Sequence, residues 1–220
     1  MTGPGSVLRL EVPGEGWWQA RNSPARRVPS HGTDLFGTSH ALDLVGVDDR
    51  GRSGPVGWRT LLATESPESF VGFGRPVIAP VQGVVATTHD GEPDGRARRS
   101  PVAYPRFALT QPQRARRGLA GLAGNCVVIA PPSGGFVVVA HLMRGSITVG
   151  PGQQVDVGAV IGRVGNSGNS VQPHVHLQVS DAVDRRDARG LPFVFRAFRR
   201  PDGTLRYDAL PAEGETLCRS

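Results

Sequence analysis

The residues that could do chemistry here are histidines and one aspartate, set among apolar strand formers. His174 and His176 lie two apart in VQPHVHLQV, residues 171–179. On a strand, residues i and i+2 face the same side, so two imidazoles point into one space. Such a pair is a starting point for a metal site, although a His-x-His alone occurs in many buried strands. The preceding GNSGNS (165–170) is turn chemistry that sets this strand at a rim. His141 ends the run Val137, Val138, Val139, Ala140. A ring at the end of an apolar strand either caps a core or belongs to a site. Asp43 interrupts ALDLV (41–45), where an ionised carboxylate is costly unless it is paired, metal-bound or on a solvated edge face.

These side chains need short strands to position them. SVLRLEVP (from about residue 5 to 12) reads as a first strand and ALDLVGVD (41–48) as a central one. RPVIAPVQGVVATTHD (75–90) reads as two short strands about a Pro-Val-Gln-Gly turn. GNCVVIAPP (124–132) and GGFVVVAHL (134–142) read as a hairpin, and 147–181 as short strands punctuated by Gly and Pro. Residues 49–75 form a polar, Gly-rich excursion with a short helix near SPESFVGF. Residues 90–123 lack a hydrophobic period and read as a long, partly mobile loop, a lid or substrate-facing flap. The pattern predicts an all-β, mainly antiparallel fold, a compact β-sandwich or barrel-sandwich hybrid with long loops. Residues 1–27 form a lead-in, 28–200 the main domain with insertions at 49–75 and 90–123, and 201–220 a C-terminal tail.

Composition narrows the function classes. The chain has 220 residues, 38% of them hydrophobic, which suits one globular domain. Gly 30 and Pro 19 favour many turns between short elements. The net charge is +6, and all 25 basic residues are Arg. They scatter through loops without interleaved aromatics, so no nucleic-acid groove is expected. Cys126 and Cys218 make neither a disulfide framework nor a Cys-rich zinc site; a single bridge between them has no support in the sequence. The N-terminal residues do not read as a signal peptide, and no stretch approaches the ~18 apolar residues of a membrane span. A monomer is expected.

Taken in order, PVIAPVQGVV, GNCVVIA, VVVAHL, GPGQQVDVGAVIGRVGNSGNS and QPHVHLQV resemble the lysostaphin/LytM-type zinc metallopeptidases over roughly residues 28–181. The neighbouring NSPARRVPSHGTD and ARGLPFVF resemble an actinobacterial-type branch of that family. The resemblance implies a compact β-fold around an open groove, a Zn2+ cofactor and a peptidoglycan peptide as substrate. It implies Asp43 and His176 as zinc ligands, His141 and His174 as catalytic histidines, and a supporting role for Asn125. The first ligand departs from the family pattern. The family places a His four residues before the Asp, where this chain has Ser39. His40, three residues before, faces the opposite side of a regular strand unless a β-bulge intervenes. His31 lies across the GTDLFG turn and is read as the first ligand, with His40 the alternative.

Other readings compete. An inactive relative that binds wall peptide or regulates an amidase would keep the fold and lose the metal, and Ser39 feeds that idea. The GxxVxxGxxIGxV turn also resembles biotinyl and lipoyl carriers, but those need an acceptor Lys and the chain has none. A histidine phosphocarrier leaves Asp43 unexplained. Trp17 and Trp18 are candidates for the groove wall, with at least one expected in the core.

Overall fold

The computed structural model describes residues 7–57, 60 and 62–220, without the side chains of 103, 106 and 107. In chain order the strands begin with β1 (Leu8–Leu10), β2 (Trp18–Arg21), β3 (Leu42–Gly46), β4 (Pro76–Ile78) and β5 (Gly83–His89). Three short helices follow: α1 (Ala103–Leu109), α2 (Gln111–Ala115) and α3 (Gly118–Ala123). The chain then returns to strands: β6 (Asn125–Ala130), β7 (Phe136–Leu142), β8 (Gln154–Val155), β9 (Val160–Arg163), β10 (Val175–Ser180), β11 (Phe193–Arg199), β12 (Leu205–Ala209) and β13 (Thr216–Arg219). Of the strand expected from residue 5 to 12, the first residues lie outside those described; β1 occupies its centre.

One long, curled sheet runs in the order β1-β11-β13-β2-β3-β10-β7-β6-β5-β8, with β12 added to β11, while β4 and β9 form a separate ribbon. Among the described residues only the β1–β11 pair is parallel. The fold is therefore all-β and mainly antiparallel, as the turn-rich pattern predicts.

The period-2 alternation of strands divides the residues of the central sheet between two faces. Leu42 and Leu44 of β3, Val137 and Val139 of β7, and Val175, Leu177 and Val179 of β10 enter one large apolar core. That core also holds Trp18 and the Phe193, Phe195, Phe198 cluster of β11. Each fully buried Leu, Val or Phe contributes about 1.5–3 kcal/mol of burial. The residues between them, Asp43, Val138, Ala140, His176 and Gln178, face the other way. On that side α3 covers β6 and β7 through a small cluster of Ala123, Cys126, Val128, Val138 and Ala140.

Three segments differ from the sequence reading. Residues 90–123 are not one loop. Asp94 ties the start down by accepting bonds from Asn166 N (2.6 Å) and Arg144 N (3.0 Å), and helices fill 103–123. Helices of five to seven residues are too short to show a 3.6-residue period, which is why the pattern looked structureless. Residues 201–220 are not a tail, because β12 and β13 pair within the sheet. Their polar alternation is the signature of an exposed strand, easily read as a polar end. Trp17 and Trp18 do not line the groove described below. Trp18 is buried, donating Nε1–H to Gly14 O at 3.3 Å, with Arg75 stacked over its ring. Both cysteines are free. Cys126 is buried under α3, and burial pushes its thiol up to about 12.

Candidate metal centre

The site is assembled across three neighbouring strands. In the antiparallel register Asp43 of β3 sits opposite His176 of β10, and His176 sits opposite Ala140 of β7. Directly paired residues share a face, so the carboxylate and the imidazole meet on the side away from the core. His174, two residues before His176, joins them there.

His141 reaches the same side by a different device. Val139 pairs with Val127, but Leu142 pairs with Asn125, so three steps along β7 match two along β6. This is a β-bulge, and His141 at its centre has φ of 62°. Regular alternation from Val139 would send His141 into the core and Leu142 out. The extra residue reverses this parity: Leu142 enters the core and His141 faces the groove. A non-glycine residue at positive φ is strained, and such strain gathers at functional sites.

His31 comes from the connection between β2 and β3. The chain from residue 35 to 40 makes 3-10 turns rather than a strand, with Gly37 at φ 75°. A Cβ on Gly37 would lie 2.7 Å from Ser180 Cβ, so glycine lets this turn seat against β10. His31 Nε2 lies 3.2 Å from Asp43 Oδ2. His40 sits at the end of the 3-10 segment, against Ser39 Oγ at 3.2 Å, and lines neither the metal cluster nor the groove. The strand-parity argument for His40 does not apply, because β3 begins only at Leu42.

Two overlapping trios can offer ligand atoms within 4.8 Å of one another: His31, Asp43, His176, and His141, His174, His176. Asp43, His141, His174 and His176 are buried, and His31 is partly exposed. His176 Nδ1 lies 2.9 Å from Asp43 Oδ1, and His174 Nε2 lies 3.4 Å from the same oxygen. The first trio carries a carboxylate to offset a divalent charge; the second has none. His, His and carboxylate with an open side is a ligand set that suits zinc.

Hydrogen bonds fix the outer two histidines. His141 Nδ1 donates to Ser167 O at 2.9 Å, and His174 Nδ1 donates to Gln172 O at 2.7 Å. A carbonyl oxygen only accepts, so in both rings Nδ1 carries hydrogen and Nε2 faces the groove. Their charges are set in opposite directions. Burial, reinforced by His174 and His176, pushes His141 well below the ordinary imidazole range, and Asp43 only partly opposes this. Burial also pulls His174 down, but the charge of Asp43 and hydrogen bonds to Asp43 and Gln172 O outweigh it and leave it raised. Burial pushes the Asp43 carboxyl up, yet His31, His174 and His176 together hold it well below the usual carboxylate value.

Sequence reasoning missed three partners. Asn22, at φ 50° just after β2, donates Nδ2–H to Asp43 Oδ2 at 2.7 Å. Ser30 Oγ lies 3.0 Å from His31 Nδ1, and Gln178 Oε1 lies 2.9 Å from His176 Nε2. Gln178 was legible as the i+2 neighbour of His176; Asn22 and Ser30 act through loop geometry and left no pattern. Asn125 supports rather than lines the site: its Nδ2 donates to Glu92 O and Leu142 O, bracing the bulge.

The centre lies at the floor of a groove of ≈ 780 Å³. One wall is helical, with Ala108, Pro112, Ala115, Leu119 and Leu122. The other carries Arg21, Arg27, Leu35 and Phe36.

Residues 111–188 match peptidase family M23, a stretch that contains His141, His174 and His176. The likeness to this family covers these residues, about a third of the chain. The His and Asp cluster, three of whose histidines lie in this stretch, fits a metal site. Solved structures with similarity include a zinc-containing peptidase from Vibrio cholerae, at 23% identity and TM-score 0.34 over 55% of this chain and 27% of that one. The catalytic domain of lysostaphin from Staphylococcus simulans matches at 16% identity and TM-score 0.39, over 72% of this chain and 86% of that one. A mutant catalytic domain of the prophage-encoded M23 protein EnpA from Enterococcus faecalis matches at 16% identity and TM-score 0.39, over 92% of each. This chain thus spans 27% of the length of the Vibrio protein. Among the described residues, no helix is long and apolar enough to cross a membrane.

Proposed function

We propose that the protein is a zinc metalloendopeptidase that hydrolyses a peptide bond of peptidoglycan, in a stem peptide or a cross-bridge. The observation that carries this reading is the convergence of His31 Nε2, Asp43 and His176 Nδ1 beside two histidines whose Nε2 atoms face the same groove. His31, Asp43 and His176 would hold the zinc. When bound, zinc polarises the scissile carbonyl and lowers the pKa of water toward ~7.

His141 is kept neutral by burial, so its Nε2 lone pair is free to take a proton from the attacking water. His174 Nε2 faces the same groove and, once protonated, can donate to the leaving amine. Both rings keep this aim because their Nδ1 atoms are tied to backbone carbonyls. The groove suits an extended peptide with small side chains against the helical wall and free carboxylates toward Arg21 and Arg27, chemistry that a peptidoglycan stem provides.

The test is to incubate zinc-loaded protein with purified peptidoglycan and follow new free amino groups together with fragment masses. New amines that disappear on chelation and in His141→Ala support the reading. No new amines from the loaded native protein count against it.

A further inference from the structure

We propose that Gln178 is a positioning residue for the metal centre: it selects which ring nitrogen of His176 faces the metal, within an outer shell completed by Ser30 and Asn22. This rests on the metal-site reading above.

The assignment follows from which atoms can donate. Gln178 Nε2 donates to Phe36 O at 2.9 Å, and a backbone carbonyl only accepts. That bond turns the amide so that Oε1 faces His176 Nε2, at 2.9 Å. An amide oxygen also only accepts, so His176 must carry its hydrogen on Nε2. Nδ1, aimed at Asp43 Oδ1, is left as the donor atom for a cation. Gln178 is only 4% exposed. Its place follows from strand period, since residue 178 shares the face of residue 176. The partner carbonyl belongs to Phe36, itself at φ 56° in the turn that carries His31 toward the site. One amide therefore ties β10 to the segment that supplies the first ligand.

The other two ligands are treated alike. Ser30 has a single hydroxyl proton, directed to Ala41 O at 2.7 Å. Its oxygen can then only accept from His31 Nδ1, which leaves His31 Nε2 toward Asp43. Asn22 Nδ2–H on Asp43 Oδ2 holds the carboxylate with Oδ1 toward His176. Each imidazole ligand thus presents one defined atom, His31 Nε2 and His176 Nδ1. Outer-shell partners that fix ligand orientation in this way typically change metal affinity by about 10–100-fold when removed.

The experiment is zinc affinity by chelator competition on the folded full chain, with the native protein, Gln178→Leu and Gln178→Glu. Leucine removes both bonds; glutamate keeps an acceptor for His176 and loses the donor to Phe36. The expected result is zinc binding weakened about 10–100-fold in Gln178→Leu and largely kept in Gln178→Glu. Equal losses in both variants assign Gln178 to bracing the Phe36 turn and overturn the proposal. An unchanged affinity in Gln178→Leu does the same. Should Gln178→Leu not fold, nitrogen-15 NMR of the zinc-loaded native protein decides. A His176 ring protonated on Nε2 is expected, and protonation on Nδ1 overturns the proposal. A native protein that binds no zinc removes the metallopeptidase reading first, and that outcome is recognisable before any variant is compared.

Discussion

The two faces of the central sheet are built from the same strands and do opposite things. On one face Leu42, Leu44, Val139, Val175 and Leu177 are fully buried in a continuous apolar core. On the other, Asp43, His141, His174, His176 and Gln178 are also buried, yet each holds hydrogen-bonding or titratable atoms. The core face gains stability from area removed from water. The groove face gains little from burial, because every polar group taken from water must find a partner. Its residues are arranged for a ligand, and the core behind them supplies the rigidity.

Replacing one ligand and one core residue from adjacent strand positions sharpens this contrast. The largest effect is expected for Asp43→Ala, which removes the carboxylate of the proposed ligand set. Zinc affinity should fall by more than the ~100-fold upper range typical of outer-shell changes, with the fold retained. Chelator competition with circular dichroism checks both halves. Leu177→Ala, one residue from His176 on the opposite face, should do the reverse. It should lower unfolding free energy by about 2–5 kcal/mol in urea titration while the folded fraction still binds zinc. If Asp43→Ala unfolds the chain and Leu177→Ala abolishes zinc binding without loss of stability, the division between faces is wrong.

A smaller effect separates His141 from His174 in protein stripped of metal. His141 is lowered on folding, so its contribution is present above the unfolded value near 6.5 and is lost as pH falls below it. His174 is raised, so its contribution is present below 6.5 and is lost as pH rises through its folded value. The two slopes have opposite signs, each at most about 1.4 kcal/mol per pH unit. Unfolding free energies measured from pH 5 to 8 should rise less with pH in His141→Gln than in the native chain, and more in His174→Gln. The same change of slope in both variants would contradict this opposite setting of the two rings.

Much of this contrast was legible in the sequence. The alternation of VQPHVHLQV and ALDLV places His176 and Asp43 opposite the core by period alone. The hairpin of β6 and β7 was equally plain from GNCVVIAPP and GGFVVVAHL. His141 was found only as a ring at a strand end, because the bulge that turns it has no one-strand signature and appears only in the register with β6. His31 depended on how the twenty-residue connection between β2 and β3 closes, which spacing cannot specify. The helical wall was missed because its three pieces are each shorter than a usable period, and polar β12 and β13 were missed because a strand with an exposed face looks like a tail.

The central claim is that His31, Asp43 and His176 hold a zinc ion. Metal content of the purified chain measures this directly, with His31→Ala and His40→Ala beside the native protein. The account predicts about one zinc per native chain, kept in His40→Ala and lost in His31→Ala. Zinc kept in His31→Ala and lost in His40→Ala, or no zinc in the native chain after reconstitution, would contradict it.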